Sequence, residues 1–384
     1  MNQRKMALFL IIVFLVYFLI NLYLFLKGFR ILSSRKNLRT IYVISFVLFA
    51  SSFIAGKILE VKHSSDFSDF LNLIGGFWLA FMLYGSLILL LSDIIFPILK
   101  VSGLLAKNKI FLFRKWAYFS TLIISSITII GGFINALNPV VRHYEISINK
   151  SAGDLKEFRI AAVSDIHLGS VIGKRNIEKL SKMLKEARPD AVFLLGDIVD
   201  GEIAPVMRRN LLKYFNCQVS SDRLVAITGN HEFIGNPAIS IPYIENNGIR
   251  ILKDEMVVIS DYIQVIGRID SYGANFSNYR RQPLEKLMEK ADSDKPIIVL
   301  DHQPINLDET EKASVDIQLS GHTHNGQLWP LNYIVALFYE ISYGYGKKGN
   351  THILVSSGFG LWGPMVRTGS RPEIVVVDVK FNRN

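Results

Sequence analysis

The chain has 384 residues, half of them hydrophobic, a formal net charge of +10 and a single cysteine. That length leaves room for two domains, and one thiol excludes both an intrachain disulfide framework and a cysteine-built zinc site. Through Asn138 there are fourteen Lys/Arg against four Asp/Glu, and from Pro139 onward twenty-nine of each, so the charge excess flanks apolar segments and forms no basic track for nucleic acid.

The N-terminal part carries four apolar runs, at 6–26, 41–56, 70–91 and 116–137. About 20 helical residues at 1.5 Å each cross a hydrocarbon core of about 30 Å. Three runs reach that length, and the second needs flanking residues from 38–40 or 57–59. The first run exceeds a signal-peptide core and lacks a small-residue cleavage site, which points to an uncleaved helix. Residues 1–138 are therefore expected to form a transmembrane region of about four helices.

Cations set its orientation. Lys27, Arg30, Arg35, Lys36 and Arg39 lie between the first two runs, and Lys100, Lys107, Lys109, Arg114 and Lys115 between the last two. The other side offers Arg4, Lys5, Lys57 and Lys62. Ten against four places the basic loops in the cytoplasm and everything after Asn138 outside. Asp93, at the end of the third run, is the acid near a span and can reach the interface. Gly75, Gly76, Gly131 and Gly132 suit close helix packing, so the region reads as an anchor rather than a transporter.

After a connector at 139–157 the pattern changes. Short runs rich in β-branched residues at 158–164, 191–195, 224–228, 297–300, 315–319 and 352–355 predict buried strands, and 256–260 with 262–267 a hairpin pair. Stretches 174–187, 205–214, 237–246 and 283–290 predict helices, three of them opened by a proline suited to a first turn. Alternating strands and helices predict an α/β domain over 158–384. Cys217, beside Tyr214 and Phe215, reads as a packing residue.

Five polar blocks stand where apolar strands end: Asp165-Ile166-His167, Gly196-Asp197 through Asp200, Gly229-Asn230-His231-Glu232, His302, and Gly321-His322-Thr323-His324. Ligands of α/β sheets sit beyond the carboxyl ends of strands, so five segments deliver side chains to one rim. Asp, His and neutral Asn are the donors that divalent metals take. Two ions need a shared ligand, and the carboxylate of Asp197, mid-series, is the natural bridge. Glycines at 169, 196, 229 and 321 allow the sharp turns this needs. Asp301 and Glu232 read as neighbours of the site, and His63, His143 and His352 as ordinary surface or interface residues.

The ordered blocks D-x-H, G-D-x-x-D, G-N-H-E, H and G-H-x-H resemble the calcineurin-like metallophosphoesterase superfamily, over about 158–378. The resemblance implies a two-sheet sandwich flanked by helices with a dinuclear centre of Mn²⁺, Zn²⁺ or Fe²⁺. One ion would take Asp165, His167, His324 and bridging Asp197, the other Asp197, Asn230, His302 and His322. His231 would contact the scissile phosphate and aid the leaving oxygen, with Asp200 orienting its ring. The four-span leader and Gly-His-Thr-His-Asn-Gly-Gln look like membrane-associated bacterial members, often compared with enzymes acting on lipid-A precursors, which implies a bacterial plasma membrane.

Together these readings predict a membrane-anchored phosphohydrolase acting on a phosphate ester or pyrophosphate of a lipid or cell-envelope substrate, with no nucleic-acid partner. The alternatives are a phosphodiesterase or nuclease on the same metals, or a non-catalytic membrane sensor. Residues 328–345, dense in aromatics, read as a core helix and turn, or else as an apolar shelf for a lipid tail or membrane. Arg367 and Arg371 read as phosphate or headgroup contacts, or as solvated loop charges.

Overall fold

A computed structural model describes residues 3–32, 36–276 and 281–382. Arg35, and the side chains of Arg4 and Lys5, lie outside the described residues. The chain divides into two compact units, Met1–Ile134 with Gly363–Val366, and Asn135–Trp362 with Arg367–Asn384.

The first unit is built on α1 (Gln3–Ile31), α2 (Lys36–Lys62), α3 (Asp66–Val101) and α4 (Ile110–Ala136). All four are long and apolar enough to cross a membrane. Each begins ahead of its apolar run, and the first three also continue past it. The second, short by hydropathy, is a helix of 27 residues, because the Lys and Glu residues at its ends are good helix formers that lie beyond an apolar stretch. Ser65 starts α3 with a reciprocal cap: its side chain accepts from Ser68 N and its N–H donates to Ser68 Oγ, and Asp66 and Asp69 complement the helix dipole.

Gly75 packs as expected, since a Cβ there would overlap the backbone of Phe53 on α2. Gly131 does not, as it faces open space. Asp93 accepts from Tyr23 Oη at 2.8 Å and from Lys27 Nζ at 2.6 Å. Glu60 is a second acid near a span, buried on α2 and bound to Lys57 at 2.9 Å.

The second unit holds, among the described residues, twelve strands: β1 Val140–Ile148, β2 Glu157–Val163, β3 Ala191–Leu194, β4 Leu224–Ile227, β5 Arg250–Leu252, β6 Glu255–Ile259, β7 Ile263–Gly267, β8 Ile297–Leu300, β9 Ile317–Ser320, β10 Gly344–Lys348, β11 Thr351–Val355 and β12 Glu373–Phe381. They form two six-stranded mixed sheets, β1-β12-β2-β3-β4-β5 and β10-β11-β9-β8-β7-β6. β3, β4, β8 and β9 are four-residue strands buried along their whole length, which is why they read as unbroken apolar runs.

Four strands lie outside the stretches read as β. β1 occupies the segment read as a connector. It is a half-exposed edge strand, parallel to β12 in the register Val140 to Glu373, and its polar face hides it from a hydrophobicity reading. β5, β10 and β12 complete the set. The helix expected over 205–214 is broken: Ala204–Arg208 is followed by a separate turn at Leu211–Tyr214, with Asn210 left-handed between them (φ 45°). The helix at 283–290 shortens to Leu284–Met288. The core helix expected in 328–345 is absent. A five-residue helix, Leu331–Val335, has no buried residue, and Leu337 is 83% exposed.

The two sheets share one core, in which Ile160, Phe193 and Val225 of the first pack with Val265, Ile298 and Leu319 of the second. Phe193→Ala should lower the unfolding free energy by about 3–5 kcal/mol. Val258→Ala, at an exposed site, should stay within about 0.5 kcal/mol. Denaturant unfolding of the solubilised chain followed by circular dichroism checks both.

Candidate metal centre

The side chains singled out from the sequence converge at the carboxyl ends of strands from both sheets. Asp165 and His167 follow β2, Asp197 follows β3, and Asn230 opens the short helix Asn230–Ile234 after β4. His302 follows β8, and His322 and His324 follow β9. Asp165, His167 and His324 offer ligand atoms all within 4.8 Å of one another, and so do Asp197, His302 and His322.

In the first group His167 Nε2 and His324 Nε2 are 3.0 Å apart, with Asp165 Oδ1 3.8 Å from one and 3.4 Å from the other. In the second, His302 Nε2 stands 3.2 Å from Asp197 Oδ2 and 3.3 Å from Asn230 Oδ1. Asp197 Oδ2 is also 3.7 Å from His167 Nε2, so this one carboxylate lies between the groups.

The outer ring nitrogens aim the inner ones. His302 Nδ1–H donates to the Leu195 carbonyl at 2.7 Å, which leaves Nε2 with its lone pair turned inward. His167 Nδ1 lies 3.2 Å from Asp200 Oδ1, to the same effect. Asp200 was expected on His231. Its oxygen is 3.4 Å from His231 Nδ1 without hydrogen-bond geometry, so its bond goes to His167. The His231 ring sets its edge on His167 at 4.6 Å between centroids.

Burial and mutual charge act together on these groups. Burial raises the Asp197 carboxyl, but His302 and His231 outweigh it and hold it well below the usual range. Burial lowers His167, but Asp165 and Asp200 push it up to about 10. Desolvation drops His322 to about 4. Buried carboxylates interleaved with imidazoles that point lone pairs at common points are the donor chemistry of hard or borderline divalent cations. The residues fit that group.

The turns that carry these ligands are strained. Asp165, His167, Asp197, His322 and His324 all have left-handed backbone, with φ between 48° and 70°. Among the glycines expected to serve the turns, Gly196 takes a positive φ of 86°, whereas Gly229 serves by closeness, since a Cβ there would overlap Asp197.

Several residues acquire roles that the sequence left open. Glu232 is wholly buried and accepts from the backbone N–H groups of Asp197 (3.0 Å), Ile198 (2.8 Å), Val199 (3.1 Å) and Gly229 (2.7 Å). Burial and the nearby Asp197 raise it to about 7. Asp301 is paired with Arg281. Asp270, missed in the sequence, is buried at the end of β7 and receives Gln303 Nε2 at 2.9 Å. The strand-end rule applies to it, but no polar block marks it. Arg367 is neither solvated nor poised for a phosphate: it is fully buried, with Nη2 on the Gly360 and Gly358 carbonyls and 3.2 Å from His324 Nδ1. Arg371 donates to the Asn138 carbonyl, and His352 meets Tyr345 Oη at 2.9 Å.

Residues 158–326 match the calcineurin-like phosphoesterase family. An uncharacterized metallophosphoesterase of Aquifex aeolicus is 32% identical over 232 residues, 59% of this chain and 87% of that protein. A transmembrane protein with metallophosphoesterase domain of Bos taurus is 31% identical over 288 residues, 68% of this chain, and one of Danio rerio is 28% identical over 283. In both vertebrate relatives the match spans 62% of their length. The chain belongs to the calcineurin-like phosphoesterase family. It joins that domain, with its candidate metal-binding residues, to four helices long and apolar enough to span a membrane.

Glu232→Ala strands up to four buried N–H donors and should cost about 3 kcal/mol or more. Thermal unfolding of the solubilised chain should register it as a clear fall in midpoint.

Proposed function

We propose that the chain is a membrane-anchored phosphohydrolase that cleaves a phosphate ester or pyrophosphate bond, with two divalent cations (Mn²⁺, Zn²⁺ or Fe²⁺) at the strand-end site. The observation that carries this reading is Asp197 Oδ2 standing between the two ligand groups, 3.7 Å from His167 Nε2 and 3.2 Å from His302 Nε2. One cation would rest on Asp165, His167, His324 and Asp197, the other on Asp197, Asn230, His302 and His322. Such ions, when bound, supply Lewis-acid charge against phosphate oxygens and a nucleophile at neutral pH.

The protein's own part is positioning, proton transfer and exclusion of water. His231 lines the pocket beside the ligands, within reach of a leaving oxygen on a phosphate held there. Burial lowers the proton affinity of His231 and the negative charge of a bound phosphate opposes that, so a histidine so placed would pass a proton to the departing group. Asp200, bonded to His167, orients that ligand and sets its charge near His231. The pocket, about 360 Å³, continues from Asp197, His322 and His324 onto a wall of Ile234, Leu331, Val335 and Trp362. That wall suits a substrate whose phosphate adjoins an apolar group, which supports a lipid-linked or envelope substrate.

His231→Ala should keep its cations and lose about 10²–10⁴ in turnover. Asp197→Ala should lose the cations themselves. Elemental analysis beside hydrolysis of p-nitrophenyl phosphate and bis-p-nitrophenyl phosphate reads both, and the diester arm separates the phosphodiesterase alternative. Activity that survives chelation, or full turnover in metal-loaded His231→Ala, removes the reading.

The cation count of the loops supports an extracytoplasmic catalytic unit in a plasma membrane. A cysteine placed at exposed Lys182, with Cys217→Ser, should react with an impermeant maleimide in right-side-out vesicles. Labelling only after the vesicles are opened would reverse the orientation.

A further inference from the structure

One feature of the membrane unit is unused by the phosphoester reading. At one end of the bundle, where α1 and α3 finish and α4 begins, a cavity of about 170 Å³ is lined by Lys27, Arg30, Asp93 and Arg114 with Phe96 and Tyr118. Three cations surround one carboxylate. Asp93 is already taken by Lys27 and Tyr23. Arg114 lies over the Phe96 ring, 5.1 Å from its centroid, and Arg30 has no acidic partner among the described residues. Arg30 and Arg114 are exposed, so when the helices span a bilayer they stand at helix ends among lipid headgroups, where three cations outnumber one carboxylate. The cavity is therefore short of negative charge.

Beside it lies a second cavity of about 240 Å³, and Leu89 and Tyr118 line both. Its walls are Leu24, Phe46, Phe49, Trp78, Phe81 and Leu122. A cationic chamber at the helix ends that runs into an aromatic groove deeper along them has the form of an amphiphile: an anionic head and a hydrocarbon tail. A small free anion would use the chamber and leave the groove. A zwitterionic lipid would bring an ammonium against Lys27, Arg30 and Arg114. Basic pockets between membrane helices suit anionic headgroups on electrostatic grounds.

We propose that the four helices hold an anionic phospholipid, its phosphate against Arg30 of α1 and Arg114 of α4 and one acyl chain along the groove that α2 and α3 help to wall. The site is independent of the phosphoester chemistry and rests on the four helices spanning a bilayer.

The test uses the full chain, purified and delipidated, offered phosphatidylglycerol or phosphatidylcholine in mixed micelles, with retained lipid counted by native mass spectrometry. Wild type should retain phosphatidylglycerol over phosphatidylcholine by about thirtyfold, the scale expected for two cations meeting an anionic headgroup. Arg30→Gln with Arg114→Gln should erase the preference, while Ser45→Phe, which fills the groove, should cut phosphatidylglycerol retention with the cations intact. Circular dichroism and a monodisperse elution confirm that each variant is folded. If the arginine pair does not fold, the Ser45→Phe arm decides. Equal retention by the folded variants overturns the proposal. So does sn-glycerol 3-phosphate, the head without tails, if it binds as well as the lipid, for then the chamber is a small-anion site.

Discussion

The buried Glu232 carboxylate draws four backbone N–H groups onto itself, three from the turn after β3 and one from Gly229 after β4. Hydrogen bonds to a charged acceptor contribute roughly 1.5–3 kcal/mol each, set against the desolvation of the acid. Their geometric effect is larger than any one of them. They lock two strand ends together, and the locked turn presents Asp197, whose Oδ1 in turn accepts from His231 N at 2.8 Å. The ligand between the two groups, the candidate acid and the opening of the Asn230 helix therefore share one anchor.

That rigidity is what makes the left-handed turns tolerable. Five candidate ligand residues adopt positive φ, a conformation that costs on the order of 1–3 kcal/mol apiece for side chains bearing a Cβ. No local interaction repays so much. The strain is held by the core between the sheets, where Phe193 and Ile298 are buried, and by hydrogen bonds such as His322 N on Asp165. Rim and core are thus one system: the rim is strained because the core fixes where each strand must end.

Much of this was legible from residues alone, for a physical reason. Wholly buried four-residue strands leave apolar runs in the sequence, and the polar blocks that break those runs are the rim. The alternation of strands with helices and the long apolar helices followed from the same contrast, whereas the two-sheet arrangement was implied only by the resemblance of the blocks to a known family. What escaped was whatever lacks that contrast. β1 is an edge strand with one wet face, and β10 is Gly- and Lys-rich. Glu232 and Arg367 act on backbone groups, and a sequence does not say which amide or carbonyl a charged side chain will find. Arg367 looked like a loop cation and is a buried strut behind His324. Of the two readings of 328–345 the core helix fails, because Trp329, Tyr333, Phe338 and Tyr345 are exposed. Hydropathy, finally, reported how much of each membrane helix is apolar and not how long the helix is.

The placement of β12 has a consequence for how this unit comes into being. It lies between β1 and β2, and the contact from Asn382 to Asn149 closes 233 positions. During synthesis the earliest strands of the second unit leave the ribosome long before the strand that must separate them. They wait as unpaired edges while the second sheet is made, and contacts of such long reach form slowly. A nascent chain paused before residue 373 would hold every candidate ligand and the strands that carry them, yet lack the one strand that joins β1 to β2, so those two edges stay open to chaperones, and to aggregation, until translation is nearly complete.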